Sequence, residues 1–163
     1  MIVDPPPVEP IDRSREAAEC AEMMVTSEPW LTFRLTREMA RAAVDDQGRE
    51  VHVIRDAHGV AGFVVIDMRG LLRGYISILC VRADRRGQGI GSALLDWAEA
   101  RILRESPNVF ICVSSFNPDA RRLYERRGFA LVGTLPELLM AGHDELLLRK
   151  TTGTWRDFLR TSA

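Results

Sequence analysis

The chain has 163 residues, 46% of them apolar and 28% charged, with a formal net charge of −1. This is the profile of a soluble globular chain long enough for one hydrophobic core, and the near-neutral balance argues against a nucleic-acid or anionic-membrane surface. No apolar run reaches the roughly 18 residues of a membrane span, and Met1-Ile2-Val3-Asp4-Pro5-Pro6-Pro7 lacks the basic and apolar regions of an export signal, so a cytoplasmic location is expected.

In chain order, residues 1–13 read as an irregular proline-rich arm or a weak edge strand, with Val8 to Ile11 as the strand candidate. Arg15 to Thr26 predicts a helix that Ser27-Glu28-Pro29-Trp30 breaks, and Thr36 caps a second helix reaching Val44. Val51 to Ile54 and Ala61 to Ile66 predict a hairpin around the turn-forming run Asp56-Ala57-His58-Gly59. Tyr75 to Val81 is a β-branched, apolar run and reads as a buried strand. From Gly89 to Arg104, Ile90, Leu94, Leu95, Ala98 and Ile102 recur at helical spacing. A strand from Val109 to Ser114, a helix from Pro118, and a hairpin of Ala130 to Leu135 with Glu145 to Lys150 follow. Residues 14–150 read as a single domain, and 151–163 as a tail in which Trp155, Phe158 and Leu159 form a small apolar patch.

Between the strand at Tyr75 and the helix at Gly89 lies Arg85-Arg86-Gly87-Gln88-Gly89-Ile90-Gly91-Ser92. A strand that feeds a glycine-rich turn into a helix N-terminus makes an anion site, because small residues admit a phosphate and the first N–H groups of the helix are unpaired. The spacing Gly-x-Gly-x-Gly is not the dinucleotide pattern, and the following strand ends in serines rather than a ribose-binding carboxylate. A Walker loop needs Gly-Lys-Ser/Thr, whereas the only lysine is Lys150. Arg82, Arg85 and Arg86 would suit the further phosphates of a nucleotide.

The segment Arg86-x-x-Gly89-x-Gly91 resembles the Arg/Gln-x-x-Gly-x-Gly/Ala signature of the GCN5-related N-acetyltransferase (GNAT) superfamily. A second segment, Asn117-Pro118-Asp119-Ala120-Arg121-Arg122-Leu123-Tyr124-Glu125-Arg126-Arg127-Gly128-Phe129, is similar to the other hallmark of that superfamily, Asn-x-x-Ala-x-x-x-Tyr-x-x-x-Gly-Phe. Each residue there also has a plain structural use. Asn117 is a good N-cap, Pro118 fits the first helical position, and Gly128 suits a left-handed residue after the helix. The resemblance runs from Val51 to Lys150.

The resemblance implies an α/β (α+β) fold: a mixed central sheet of roughly six to seven strands, flanked by about four helices and splayed at the cofactor strand. It implies acetyl-CoA as co-substrate, with no metal, and transfer of the acetyl group to a primary amine of a small molecule, a peptide N-terminus or a lysine. Leu79, Cys80 and Val81 would offer the backbone edge for pantetheine. Arg86, Gly87, Gln88, Gly89, Ile90, Gly91 and Ser92 would hold the pyrophosphate, and Asn117 would touch the pantetheine. An N–H of Leu79 or Cys80 would stabilise the oxyanion, and Tyr124 would act as general acid toward the leaving thiolate. Where relatives carry a glutamate base this chain has Ser77, Ile78 or Cys112, none a useful base. Asp67, His143 and Glu145 are the substitutes, His143 standing equally as a polar turn residue. Trp30 and Phe33 would wall the acceptor site or else belong to the core. A covalent route through Cys80 is the minor alternative to direct attack. Oligomeric state stays open between monomer and homodimer. A non-catalytic acyl-CoA-binding domain is the competing functional reading.

Overall fold

The computed structural model describes residues 6–161. The elements are β1 (Glu9–Pro10), α1 (Arg13–Val25), α2 (Arg37–Asp45), β2 (Glu50–Asp56), β3 (Gly59–Asp67), β4 (Tyr75–Val81), a 3₁₀ turn (Ala83–Arg85), α3 (Ile90–Ile102), β5 (Asn108–Ser114), α4 (Pro118–Arg126), β6 (Ala130–Met140), β7 (His143–Thr151) and α5 (Trp155–Thr161). Seven strands join in the order β1-β2-β3-β4-β5-β7-β6. β4 and β5 run parallel, while β1 with β2, β2 with β3, β5 with β7, and β6 with β7 run antiparallel. The sheet is therefore mixed and open. No helix among the described residues is long and apolar enough to cross a membrane.

The described residues form two compact units, 6–67 with 77–98, and 68–76 with 99–161. In the first unit, Asp12 caps α1 by accepting from the Ser14 N–H at 3.1 Å, and Thr36 caps α2 through the Met39 N–H at 3.2 Å. Ala17, Cys20, Ala21 and Met24 recur at helical spacing and are all buried. They share a core with Val44 of α2 and with Val51, Val53, Phe63, Val65, Ile78 and Cys80 of the strands. β3 is buried from Val60 through Ile66, so it reads as a continuous apolar run. Gly62 interrupts that run for a steric reason. A Cβ there would sit 2.8 Å from Ile90 Cγ2 and 3.0 Å from Leu94 Cδ1, so the glycine lets α3 rest on the strand.

In the second unit, β5 pairs with β7 along its whole length, from Asn108 opposite Thr151 to Ser114 opposite Glu145. Tyr75 and Ile76, the first residues of β4, pair with Phe110 and Ile111. Glu99, near the end of α3, is buried and receives both Lys150 Nζ at 2.5 Å and Arg127 at 3.3 Å. Those two cations offset the cost of burying its charge.

Element positions differ from expectation mainly at the two ends. Of residues 1–13, residues 1–5 lie outside the described residues, and the strand between Val8 and Ile11 is only Glu9–Pro10. The last hairpin is longer on both strands than expected. The register jumps between Leu135 and Met140, so Pro136 to Leu139 bulge outward and pairing resumes at Met140 opposite His143. The segment after residue 151 contains α5, where Thr154 accepts from the Asp157 N–H at 3.2 Å and Trp155 meets Phe158 edge-to-face at 5.8 Å.

Candidate active site

In the first unit, β4 delivers the chain into the glycine loop. Leu79 and Val81 are half-buried, whereas Cys80 points into the core. Burial pushes the Cys80 thiol up to about 12, with Arg86 and Ser27 pulling the other way. It stays a thiol at neutral pH, which disfavours a nucleophilic Cys80 and leaves its backbone as the useful group.

The loop itself is braced from outside. Asp56, at the end of β2, accepts from Arg82 Nη2 and from Arg85 Nε, both at 2.6 Å, and Arg82 also reaches Asp84. These guanidiniums hold the Asp56 carboxyl well below the usual carboxylate range. Gln88 closes the brace by donating to the Asp84 carbonyl at 3.0 Å. Arg82 and Arg85 are thus occupied within the protein. Arg86 lies exposed, with Nε 3.3 Å from the Val81 carbonyl and Nη2 2.9 Å from Ser27 Oγ.

Gly87 and Gly89 adopt φ of 72° and 84°, the left-handed region that side chains disfavour. Gly91 differs from both. It lies in the first turn of α3, and a Cβ there would meet only Val81 Cγ2 at an ordinary 3.5 Å. Nothing in the fold requires glycine at this position, although glycine weakens a helix by roughly 0.5–1 kcal/mol relative to alanine. The first bond of the helix runs from the Ala93 N–H to the Gly89 carbonyl at 2.9 Å. The amides before Ala93 therefore lie beyond the helical ladder, as an anion site needs.

Two further groups from the sequence lie in this unit. Trp30 packs against the core cluster beside Leu35, and Phe33 is half-buried in the segment between α1 and α2. Asp67 faces Arg49 at 3.5 Å. It follows Val65 and Ile66, and the Val65 carbonyl accepts from Ser77, so Asp67 lies toward the start of β4 and away from Leu79 and Cys80.

In the second unit, Asn117 caps α4, its Oδ1 accepting from the Ala120 N–H at 3.2 Å. The other end of α4 is a Schellman motif. Phe129 N–H reaches the Tyr124 carbonyl at 3.1 Å, Gly128 N–H reaches Glu125 at 3.0 Å, and Gly128 has φ of 89°. The apolar contact that accompanies such a motif is between Tyr124 and Phe129, whose rings lie 5.9 Å apart. Tyr124 is thereby held in place, 7% exposed, and desolvation pushes its hydroxyl up to about 12.

β7 brings His143 and Glu145 to the end of β5. His143 meets Phe116 edge-to-face at 5.1 Å. Glu145 sits opposite Ser114 in the ladder and is 3% exposed. Its Oε1 has no hydrogen-bond partner, and burial raises its pKa, with the neighbouring Ser114 pulling the other way. Ser114 and Ser27 are the two site neighbours that motif reading missed. Their one signal was polarity, a serine closing an apolar strand and another closing an apolar helix.

Comparison with known proteins identifies the family. The model of the acetyltransferase (GNAT) family matches residues 15–129, a stretch that includes the glycine loop and Tyr124. An acetyltransferase from Agrobacterium fabrum is 31% identical over 124 residues, covering 76% of this chain and 86% of the relative. A GNAT-family protein from Desulfovibrio desulfuricans superimposes with a TM-score of 0.74 at 20% identity, over 90% of this chain and 99% of that one. An aminoglycoside 6′-N-acetyltransferase complexed with coenzyme A gives 0.71 at 15% identity, over 91% and 98%. At these identities the two structures speak for the fold, while the family model and the Agrobacterium relative speak for descent: the chain belongs to the GNAT family of acetyltransferases.

Proposed function

We propose that the protein is an acetyl-CoA-dependent N-acetyltransferase that acetylates a primary amine by direct attack. The observation that carries the reading is Gly91, a glycine in a helix first turn that the fold does not need and a pyrophosphate would. The coenzyme A bound to the aminoglycoside enzyme of the same fold supports the choice of cofactor. Acceptors of the small-amine, peptide N-terminus and lysine classes all fit, and the cytoplasm is the compartment where acetyl-CoA would be met.

Backbone amides of Gly87 through Ser92 take the pyrophosphate, and Leu79, Cys80 and Val81 offer the strand edge to pantetheine. The acceptor arrives as an ammonium of pKa near 10. A base removes one proton, the free amine attacks the thioester carbon, and the adduct collapses with a C–N bond in place of the C–S bond, its second amine proton passing to the departing thiolate to give the free thiol of CoA. An N–H of Leu79 or Cys80 stabilises the oxyanion, a contribution of typically about 3 kcal/mol.

Of the base candidates, Glu145 is the one with a buried, unpartnered oxygen and a raised pKa, the properties of a carboxylate kept as a proton acceptor. Asp67 has Arg49 as a partner. Tyr124 serves the leaving group. Full proton transfer from a phenol near 12 to a thiolate near 8.5 would be uphill by about 5 kcal/mol, so its contribution is a hydrogen bond to the departing sulfur.

Thermal unfolding tests the cofactor site. Acetyl-CoA at a hundredfold excess over its Kd stabilises the fold by about 2.7 kcal/mol. Gly91→Val leaves the free protein folded and removes that gain. A folded Gly91→Val protein with the full shift would overturn the phosphate-loop assignment.

A further inference from the structure

The sheet ends on two very different edge strands. β1, at one end, is two residues long, contains Pro10, and is held by Arg55, which pairs with Glu9 at 2.6 Å and donates to the Pro10 carbonyl at 3.0 Å. Shortness, proline and charge are devices that keep an edge from pairing with another chain. β6, at the other end, runs for 11 residues and has β7 as its one neighbour in the sheet. Its one charged residue is Glu137, whose Oε1 accepts from the Gly142 N–H at 2.6 Å. Along it Leu131, Val132, Leu138 and Leu139 are 48 to 61% exposed.

From this pattern we infer that β6 is the interface strand of a homodimer, lying antiparallel against the β6 of a second copy about a two-fold axis at Leu135. The exposed apolar residues are symmetric about that position. Leu131 and Leu139 lie four residues to either side of it, and Val132 and Leu138 three. An antiparallel copy centred there sets Leu131 against Leu139 of the second copy and Val132 against its Leu138, and the two-fold repeats both contacts. An unrelated partner would need no such symmetry, so the occupant is the chain itself. The receiving surface has depth, for Leu131 and Val132 rim a cleft of about 380 Å³ with Phe110 and Arg149, a recess for the leucine pair of the other copy. That pair is presented in a fixed shape, because Glu137 adopts φ of 50° and its N–H donates to Asp144 Oδ1 at 3.2 Å. Half-exposed Leu and Val side chains leave roughly 80 Å² each, so the eight in a dimer supply about 600 Å² of the roughly 1,200 Å² that a stable interface buries. Pairing of the free backbone edges and closing of the two clefts supply the remainder. The contact is isologous, so it closes at two copies and leaves no β6 edge open to a third.

Sedimentation equilibrium of the wild-type protein at micromolar concentration gives twice the mass of one chain. Leu131→Glu and Leu139→Lys each give a monomer, because each sets a charge against a leucine across the axis, and circular dichroism shows both folded. Mixed in equal amounts, the two variants form a dimer. One contact then joins the new carboxylate to the new ammonium, and the symmetry-related contact joins two leucines. A second readout needs no variant: in the wild-type protein, amide exchange along residues 130–139 quickens as dilution brings the mass down to one chain. A wild-type monomer throughout, a dimer that persists in both variants, or β6 exchange that does not follow the mass overturns the inference. Two monomeric variants that stay monomeric when mixed overturn the pairing about Leu135.

Discussion

Tyr124 and Glu145 illustrate how burial sets chemistry one side chain at a time. Both are nearly sealed from water, and in both desolvation disfavours the charged form. For Tyr124 the result is a hydroxyl that stays protonated, a donor for the proposed leaving-group role. Tyr124→Phe keeps the ring against Phe129 and deletes that donor, so fold and acetyl-CoA affinity persist while kcat and kcat/KM fall together by roughly 10- to 100-fold. Steady-state kinetics on the best amine measures this, and a near wild-type kcat would reduce Tyr124 to packing. For Glu145 the result is a stability cost with a defined sign. Its folded pKa is raised, so the folded state binds the proton more tightly than the unfolded one. Stability from this residue is fully present below the ordinary glutamate value near 4.3 and declines as pH rises through the raised one. Glu145→Gln therefore raises Tm at pH 7 and leaves it nearly unchanged at pH 4. Equal shifts at both pH values would show that its carboxylate is not under strain.

Whole elements carry the constraints that single residues cannot. α3 lies on β3 because Gly62 leaves room for Ile90 and Leu94, and it begins at the glycine loop because β4 ends there. Gly62→Ala would place a methyl group within 2.8 Å of Ile90, forcing helix and strand apart at a cost of about 1–3 kcal/mol. Chemical denaturation checks this, with a lower midpoint expected and an unchanged one contradicting the packing. Regular elements were also the legible ones. β4 starts and ends where its apolar run does, and α4 shows both caps in Asn117 and Gly128, since these depend on neighbours a few residues apart. The last hairpin was only half legible. Leu135-Pro136-Glu137 reads as the end of a strand, and only pairing to β7 carries the chain across the bulge to Met140. The same distinction applies to the candidate site residues. The glycine loop and Tyr124 belong to local patterns, whereas Glu145 comes opposite Ser114, 31 positions earlier in the chain, only through the pairing of β7 with β5, which no spacing rule could reveal.

At the scale of the whole molecule, the near-zero charge leaves no broad field to draw a polyanion or polycation, so recognition falls to local groups. The loop amides and Arg86 belong to one unit, and Tyr124 and Glu145 to the other. The proposed function is acetyl transfer from acetyl-CoA to a primary amine. Thiol release from acetyl-CoA across a panel of small amines, peptides with free N-termini and lysine peptides, with mass analysis of the products, measures that reaction itself. Release that depends on both protein and amine, a product heavier by one acetyl group, and strong loss in Glu145→Gln are expected. Stabilisation by acetyl-CoA with no amine-dependent release from any member of the panel would contradict it, and would leave a domain that binds the cofactor without using it.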